Sequence, residues 1–340
     1  MSVWRVLGWV GLALASMAPQ FPIIPGAAPT PLRGANQTGD LSVLTYNIKA
    51  QPWPLAMGRA SAAAAIADRL AAMRAAGRQP HVVMLQEAFT DQARRIARQA
   101  GYRYVARGPA HVSPGPRAPL GGAYARARRW DRGERSAAVF DSGLLILSDY
   151  PILRTSRFGF PAGACAGFDC LASKGVLIAW VGVPGRDQPL AFVDTHLNSR
   201  HSTHVAPGRA DAAQAWQVAQ LRKAIAQAID PRMPAIFAGD TNVGLVPVRM
   251  AAFAKHPPLG DGSRDTLAEA LATLHVDRGS LAEADAIMTR HKDMILARDG
   301  QTLRFDTLGA TVPFAVDGRG ALSDHAGFLV TLRLVDRTST

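Results

Sequence analysis

Phe237-Ala238-Gly239-Asp240-Thr241-Asn242 is a short apolar run that stops on side chains able to hold metals and move protons. The pattern recurs along the chain. Val43-Leu44-Thr45-Tyr46 runs into Asn47, and Val82-Val83-Met84-Leu85-Gln86 runs into Glu87. Leu190-Ala191-Phe192-Val193-Asp194-Thr195 runs into His196 and Asn198, and Leu322-Ser323 leads into Asp324-His325. Short runs of this kind read as buried strands. Strands delivering Asn, Glu, His, Asp/Asn and Asp/His in that order describe one polar site at one edge of a β core. Such a set suits metal-assisted attack on a phosphate ester.

Outward from these runs, strand-like and helix-like segments alternate. Residues 59–76 are alanine-rich, with Ile66, Leu70 and Met73 on one helical face and Gly77 as the stop. Residues 90–100 read as a second helix, opened by Thr90 and closed by Gly101. Residues 210–229 form a long amphipathic helix with Val218, Leu221, Ile225 and Ile229 inward, ending before Pro231. Segments 143–147, 152–158, 176–181 and 190–194 read as one antiparallel run of strands. Residues 243–290 mix loop with a helix near 267–274, and 293–297, 304–308 and 328–334 supply the last strands. Residues 107–136 are dominated by Pro, Gly and Arg without a period, which reads as a long surface insertion, mobile or partner-binding. The mixture predicts two mixed sheets packed face to face with helices outside, a four-layer α/β sandwich.

The chain has 340 residues, 48% of them hydrophobic, which excludes a disordered composition. Its formal net charge is +12, with a pI near 10.6. That balance favours an anionic partner, whether nucleic acid, anionic membrane or lipid headgroup, and does not choose among them. Residues 1–18 read as a secretory signal: Arg5 precedes an apolar stretch from Val6 to Ala15, and Ser16-Met17-Ala18 offers a cleavage point. An uncleaved membrane anchor is the alternative. Residues 19–40, rich in Pro, Gly and Ala, read as a linker, and 41–340 as the folded domain. Cys165 and Cys170 are the two cysteines; an exported chain would join them, and two unpaired thiols are the alternative.

Each candidate group has a structural reading beside the functional one. Glu87 would bind Mg²⁺ through hard oxygen ligands, or close a strand-end ion pair. Asp240 and Asn242, two apart, project to one face and would hold metal, water or a phosphate oxygen, or make an Asx-turn. His325 beside Asp324 would serve as general base. His196 would protonate a leaving oxygen or stabilise the pentavalent phosphorane. Asp293 would orient a site histidine or cap a strand. Their joint occurrence in one order, each at a strand end, favours the functional set.

The pieces Leu44-Thr45-Tyr46-Asn47, Leu85-Gln86-Glu87, Asp194-Thr195-His196-Leu197-Asn198, Gly239-Asp240-Thr241-Asn242 and Ser323-Asp324-His325 closely resemble the endonuclease/exonuclease/phosphatase superfamily, with its DNase-I-like fold. The resemblance covers roughly residues 41–335. It implies that Glu87 binds the catalytic metal with help from Asn47, and that Asp240 and Asn242 position water and phosphate. It also implies that Asp324 orients the base His325, with His196 acting opposite; Asp324 and His325 count among the groups around the metal. The segments from Asp141 to Ile152 and from Asp169 to Leu177 resemble the sphingomyelinase branch. There, an Asp and a Lys five apart lie in a loop near the site, here Asp169 and Lys174. Asn198 departs from the branch, where many members carry Gln. No exposed aromatic hairpin is evident; Trp53, Tyr124 and Trp130 stand as candidate substrate or membrane contacts, or as packing residues. The resemblance implies an exported, monomeric Mg²⁺-dependent phosphodiesterase, with Mn²⁺ as the other candidate ion. It would cleave sphingomyelin to ceramide and phosphocholine at a membrane surface. The alternatives are a secreted nuclease acting on nucleic acid and a catalytically silent binding module.

Overall fold

The computed structural model describes residues 40–337 except 53–55, 115–117 and 317–319. The signal segment, the linker up to residue 39 and Trp53 lie outside the described residues. Strands β1 (Asp40–Asn47), β2 (Val82–Gln86), β3 (Tyr104–Arg107), β4 (Leu145–Ser148), β11 (Leu303–Phe314) and β12 (Gly327–Asp336) form one sheet, ordered β11-β12-β1-β2-β4-β3. Strands β5 (Ile152–Gly159), β6 (Gly175–Val181), β7 (Leu190–His196), β8 (Ala235–Asp240), β9 (Arg264–Asp265) and β10 (Asp293–Arg298) form the other, ordered β5-β6-β7-β8-β10-β9. Both sheets are mixed: β1–β2 and β7–β8 are parallel and the other pairs antiparallel.

Strand periodicity builds the layers, because successive side chains face opposite sides. In β1, Leu41 and Val43 enter the core between the sheets, with Val82 and Met84 of β2 and Phe192, Ile236 and Ile295 from the second sheet. Leu44, Tyr46, Val83 and Leu85 face the other way, against Ile66 and Leu70 of helix α1 (Arg59–Ala75) and Ile96 of helix α2 (Asp91–Gln99). On the second sheet Ile178, Val193 and Phe237 meet Val218, Leu221 and Ile225 of helix α4 (Pro207–Ala228). The result is the expected four-layer α/β sandwich. Burying each large apolar side chain contributes about 1.5–3 kcal/mol. Helix α6 (Thr266–Ala272) and helix α7 (Leu281–Arg290) add Leu267, Ala270, Ala284 and Ile287 to the inter-sheet core.

Several boundaries differ from expectation. Thr90 does cap α2, its hydroxyl accepting from the Ala93 amide at 3.2 Å. The segments from 143 to 194 are not one antiparallel run: β4 pairs with β2 and β3, and the chain then crosses sheets, so that β5, β6 and β7 form a separate meander. Within 243–290 helix α5 (Pro247–Lys255) and α7 join the expected α6. The 107–136 insertion carries helix α3 (Gly122–Arg126) and is pinned from inside. Fully buried Glu134 accepts from Arg209 Nε at 2.6 Å and from the Gly167 amide at 2.9 Å, and Tyr124 donates to the Cys165 carbonyl at 2.9 Å. Cys165 and Cys170 are joined in a disulfide. No helix among the described residues is long and apolar enough to cross a membrane.

Candidate active site

The inter-sheet core turns polar at one end. The face of β1 that carries Leu41 and Val43 continues through Thr45 to Asn47. The same period takes Phe192 to Asp194 and His196 on β7, and Ile236 to Asp240 on β8. Register lines these ends up: His196 pairs with Asp240 across β7–β8, and Asp240 with Asp293 across β8–β10. Gly239 permits that approach; a Cβ there would sit 2.2 Å from the Thr195 carbonyl oxygen. Asn47 closes the gap between sheets, its Nδ2 donating to Glu87 Oε1 and to Asp240 Oδ2, each at 3.0 Å. Lys49, Glu87 and Asn242 all hold left-handed backbone at φ 48°, 56° and 51°. Non-glycine residues there are uncommon and collect at functional turns. Here each turns the chain sharply just beyond a strand end.

Asp240 is the hub. Its Oδ2 lies 3.5 Å from His196 Nε2 and 3.6 Å from His325 Nε2, while Oδ1 accepts the Asn242 amide at 3.0 Å. Burial raises its pKa, and Asp293 raises it further against the pull of His325. The two histidines part ways. Burial disfavours charge on His325, but the Asp293 and Asp240 carboxylates outweigh it and lift the group to about 10. Burial pushes His196 well down, and Lys174 and His325 push it further. Lys174 Nζ donates to Asp169 Oδ2 at 2.8 Å and to the Leu197 carbonyl at 2.9 Å, and lies 3.2 Å from His196 Nε2. An ammonium has donors only, so that Nε2 accepts. Burial and Lys174 thus favour the neutral form of His196.

The structure brings together Asn47, Glu87, Asp169, Lys174, His196, Asp240, Asn242 and His325. Asn242 Nδ2 is engaged by the Leu197 carbonyl at 3.1 Å. Asp324 is the exception. Its carboxylate turns out to Lys49 Nζ at 2.7 Å and is more than half exposed, so it neither orients His325 nor faces the metal candidates. Asp293 orients His325 instead, its Oδ2 2.7 Å from Nδ1. The reason is geometric: adjacent residues at a strand entry point apart, whereas Asp293 arrives from the neighbouring sheet on the same face as Asp240. Gln51 escaped the sequence reading; its Nε2 donates to Glu87 Oε2 at 2.8 Å. So did the phenylalanines of the cleft described next.

A cleft of about 310 Å³ opens beside Glu87, Asp169, Lys174 and His196. Phe89, Phe140, Phe168 and Leu171 also line it and form its apolar wall. None of these four sits in a periodic run that would have exposed it in the sequence. A divalent cation fits the inner end. Glu87 is 14% exposed, and among the described residues its oxygens meet two amides and a neutral imidazole at 3.9 Å, with no lysine or arginine paired to them. A nearly buried carboxylate without a cation is costly, and oxygen-rich groups of this kind suit Mg²⁺. Asp240, Asp293 and His325 also place ligand atoms within 4.8 Å of one another. Asp293 and His325 already hold each other, so Glu87 and Asp240 form the better ligand pair; Asn47 would join them through Oδ1, which here accepts the Lys49 amide at 3.1 Å.

The sequence matches the model of the Endonuclease/Exonuclease/phosphatase family over residues 44–325. The chain belongs to that family, which places it among enzymes that cleave phosphate esters. Solved structures share the fold at low identity. Sphingomyelinase C from Streptomyces griseocarneus is 22% identical, with a TM-score of 0.55 over 86% of this chain and 99% of that one. A beta toxin mutant from Staphylococcus aureus with bound magnesium ions is 18% identical, with a TM-score of 0.56 over 86% and 99%. TDP2 from D. rerio, complexed with single strand DNA product, is 18% identical, with a TM-score of 0.55 over 86% and 98%. Among curated proteins, none matches.

Proposed function

We propose that the protein is a Mg²⁺-dependent phosphodiesterase that hydrolyses a phospholipid headgroup, sphingomyelin to ceramide and phosphocholine. The observation that carries this reading is the composition of the cleft. Among the described residues that line it, three phenylalanines and two carboxylates, Glu87 and Asp169, accompany a single lysine and no arginine. Aromatic faces beside carboxylates suit a quaternary ammonium. A nucleic-acid track would need basic groups along it.

Glu87, Asn47 and Asp240 would hold the cation. When bound, it supplies charge to polarise the phosphate and to offset Asp240, which lets His325 release its proton. His325, oriented by Asp293, takes a proton from water as the water oxygen attacks phosphorus. The phosphorus–oxygen bond to ceramide breaks, the released oxygen takes a proton from a solvent water, and His325 returns its proton to solvent, so that no net proton is gained or lost. Lys174, steadied by Asp169, places fixed positive charge beside the phosphate. Asn242 and His196 complete the polar wall. Export supports the same reading, since the Cys165–Cys170 disulfide fits an oxidising compartment. We read residues 1–18 as the signal on that basis, and take the domain to act as a monomer.

The net charge of +12 favours a second reading, a secreted nuclease. One assay separates them: sphingomyelin, phosphatidylcholine, duplex DNA and an inositol phosphate side by side, with and without Mg²⁺. Release of phosphocholine only with Mg²⁺ is the expected result. DNA cleavage falling linearly in log salt, without lipid turnover, would overturn the lipid reading.

A further inference from the structure

We propose that the surface around the cleft mouth, centred on Trp130, Phe168 and Val139, docks the protein on an anionic lipid bilayer. The proposal takes its occupant from the phospholipid reading above. Trp130 is 78% exposed and Val139 64%, unusual for large apolar side chains, and Phe168 is 38% exposed. Contacts make them neighbours. The Arg132 guanidinium lies 5.7 Å from the Phe168 ring centre, two residues after Trp130. Gly133 abuts the Leu171 side chain so closely that a Cβ there would be 2.8 Å from it. The amide of Val139 donates to the Leu171 carbonyl at 2.8 Å. Phe168 and Leu171 also line the cleft, so this surface is continuous with the catalytic groups.

Charge complementarity names the occupant. Arg126, Arg128, Arg129, Arg132 and Arg135 lie within five residues of Trp130 in the chain, while the acids of the segment are Asp131, paired to Arg129 at 2.6 Å, and buried Glu134, paired to Arg209. An exposed indole within a basic collar matches the interfacial zone of an anionic membrane, where tryptophan is enriched and arginines are attracted. The aliphatic Val139 and Leu171 favour lipid over single-stranded nucleic acid, whose bases need π-faces to stack on. The rigid underpinning by Glu134, Arg209 and Tyr124 holds this surface in place without contributing to the chemistry.

The test is co-sedimentation of the full chain with vesicles of equal parts phosphatidylcholine and phosphatidylglycerol, and with pure phosphatidylcholine vesicles. Trp130→Ala should weaken partition to the mixed vesicles about tenfold. Joint Arg126→Gln, Arg129→Gln and Arg135→Gln should weaken it by about fivefold per arginine, on the anionic vesicles only. Melting temperatures should hold, because these side chains are exposed. Variants that partition like the parent, or a parent that does not sediment, would overturn the proposal. Losses confined to single-stranded oligonucleotide, with vesicle binding intact, would overturn it in favour of a nucleic-acid surface. Failure of the hydrolase reading shows elsewhere, as no turnover of a water-soluble short-chain sphingomyelin by the parent with Mg²⁺; the vesicle arm decides docking.

Discussion

The polar cluster at the strand ends beside the cleft, its floor, and the aromatic lining of the cleft, its wall, are built by different rules. On the floor, Asn47, His196, Asp240 and Asp293 stand on strand ends, where register leaves each side chain little freedom. The wall comes from loops: Phe89 after the Glu87 turn, Phe140 before β4, and Phe168 and Leu171 beside the disulfide. The wall packs apolar against apolar, as in the Phe89–Phe140 contact at 5.7 Å between ring centres. The floor is a set of charges balanced against one another. Chemistry should therefore fail steeply when the floor is changed, and recognition should drift when the wall is.

Chelation should have the largest effect. EDTA is expected to abolish headgroup release and Mg²⁺ to restore it, and Glu87→Ala should behave like permanent chelation. Full turnover in EDTA would remove the cation from the floor. His325→Ala comes next, with kcat lowered about 10²-fold or more through loss of the base. A variant at parental kcat would show that the Asp293–His325 pair is structural.

A pH experiment sharpens the same side of the comparison. In the chelated protein His325 keeps its proton to about pH 10, against about 6.5 when unfolded. A raised folded pKa contributes stability that is complete below about pH 6.5 and lost as pH rises through about 10. Asp293→Asn removes the carboxylate at 2.7 Å and lowers that folded pKa. The stability gap between parent and variant in urea should be widest near pH 6 and close toward pH 10. A gap independent of pH would mean that Asp293 acts through packing.

The same division explains what the sequence disclosed. Strands that alternate across a sheet announce their faces, and the polar residue ending each apolar run, from Asn47 to Asp240, is visible in one dimension. Cross-sheet partners are not. Asp324 adjoins His325 in the chain, yet Asp293 is its partner in space, because β10 is antiparallel to β8 and sets Asp293 opposite Asp240. Strand β3 escaped because only Ala106 of its four residues is buried, too little for an alternation to show. The part of β11 past residue 308 escaped because register shifts near Thr307 and Thr311 break its period. The insertion showed no period because buried polar contacts anchor it: Glu134 to Arg209 and to the Gly167 amide.

The smallest effect tests the wall. Phe89→Leu keeps an apolar side chain of similar bulk and removes the aromatic face. If that face meets a quaternary ammonium, the loss is about 0.5–1 kcal/mol, so KM for sphingomyelin should rise a few-fold. kcat should stay near the parent, because binding lost equally from substrate and transition state leaves kcat unchanged. A headgroup lacking the ammonium should be indifferent to the substitution, which separates an electronic effect from a change of shape. A large fall in kcat with KM unchanged would contradict the division itself. It would mean that Phe89, two residues from Glu87, holds the left-handed Glu87 turn in register, and that wall and floor act as one unit.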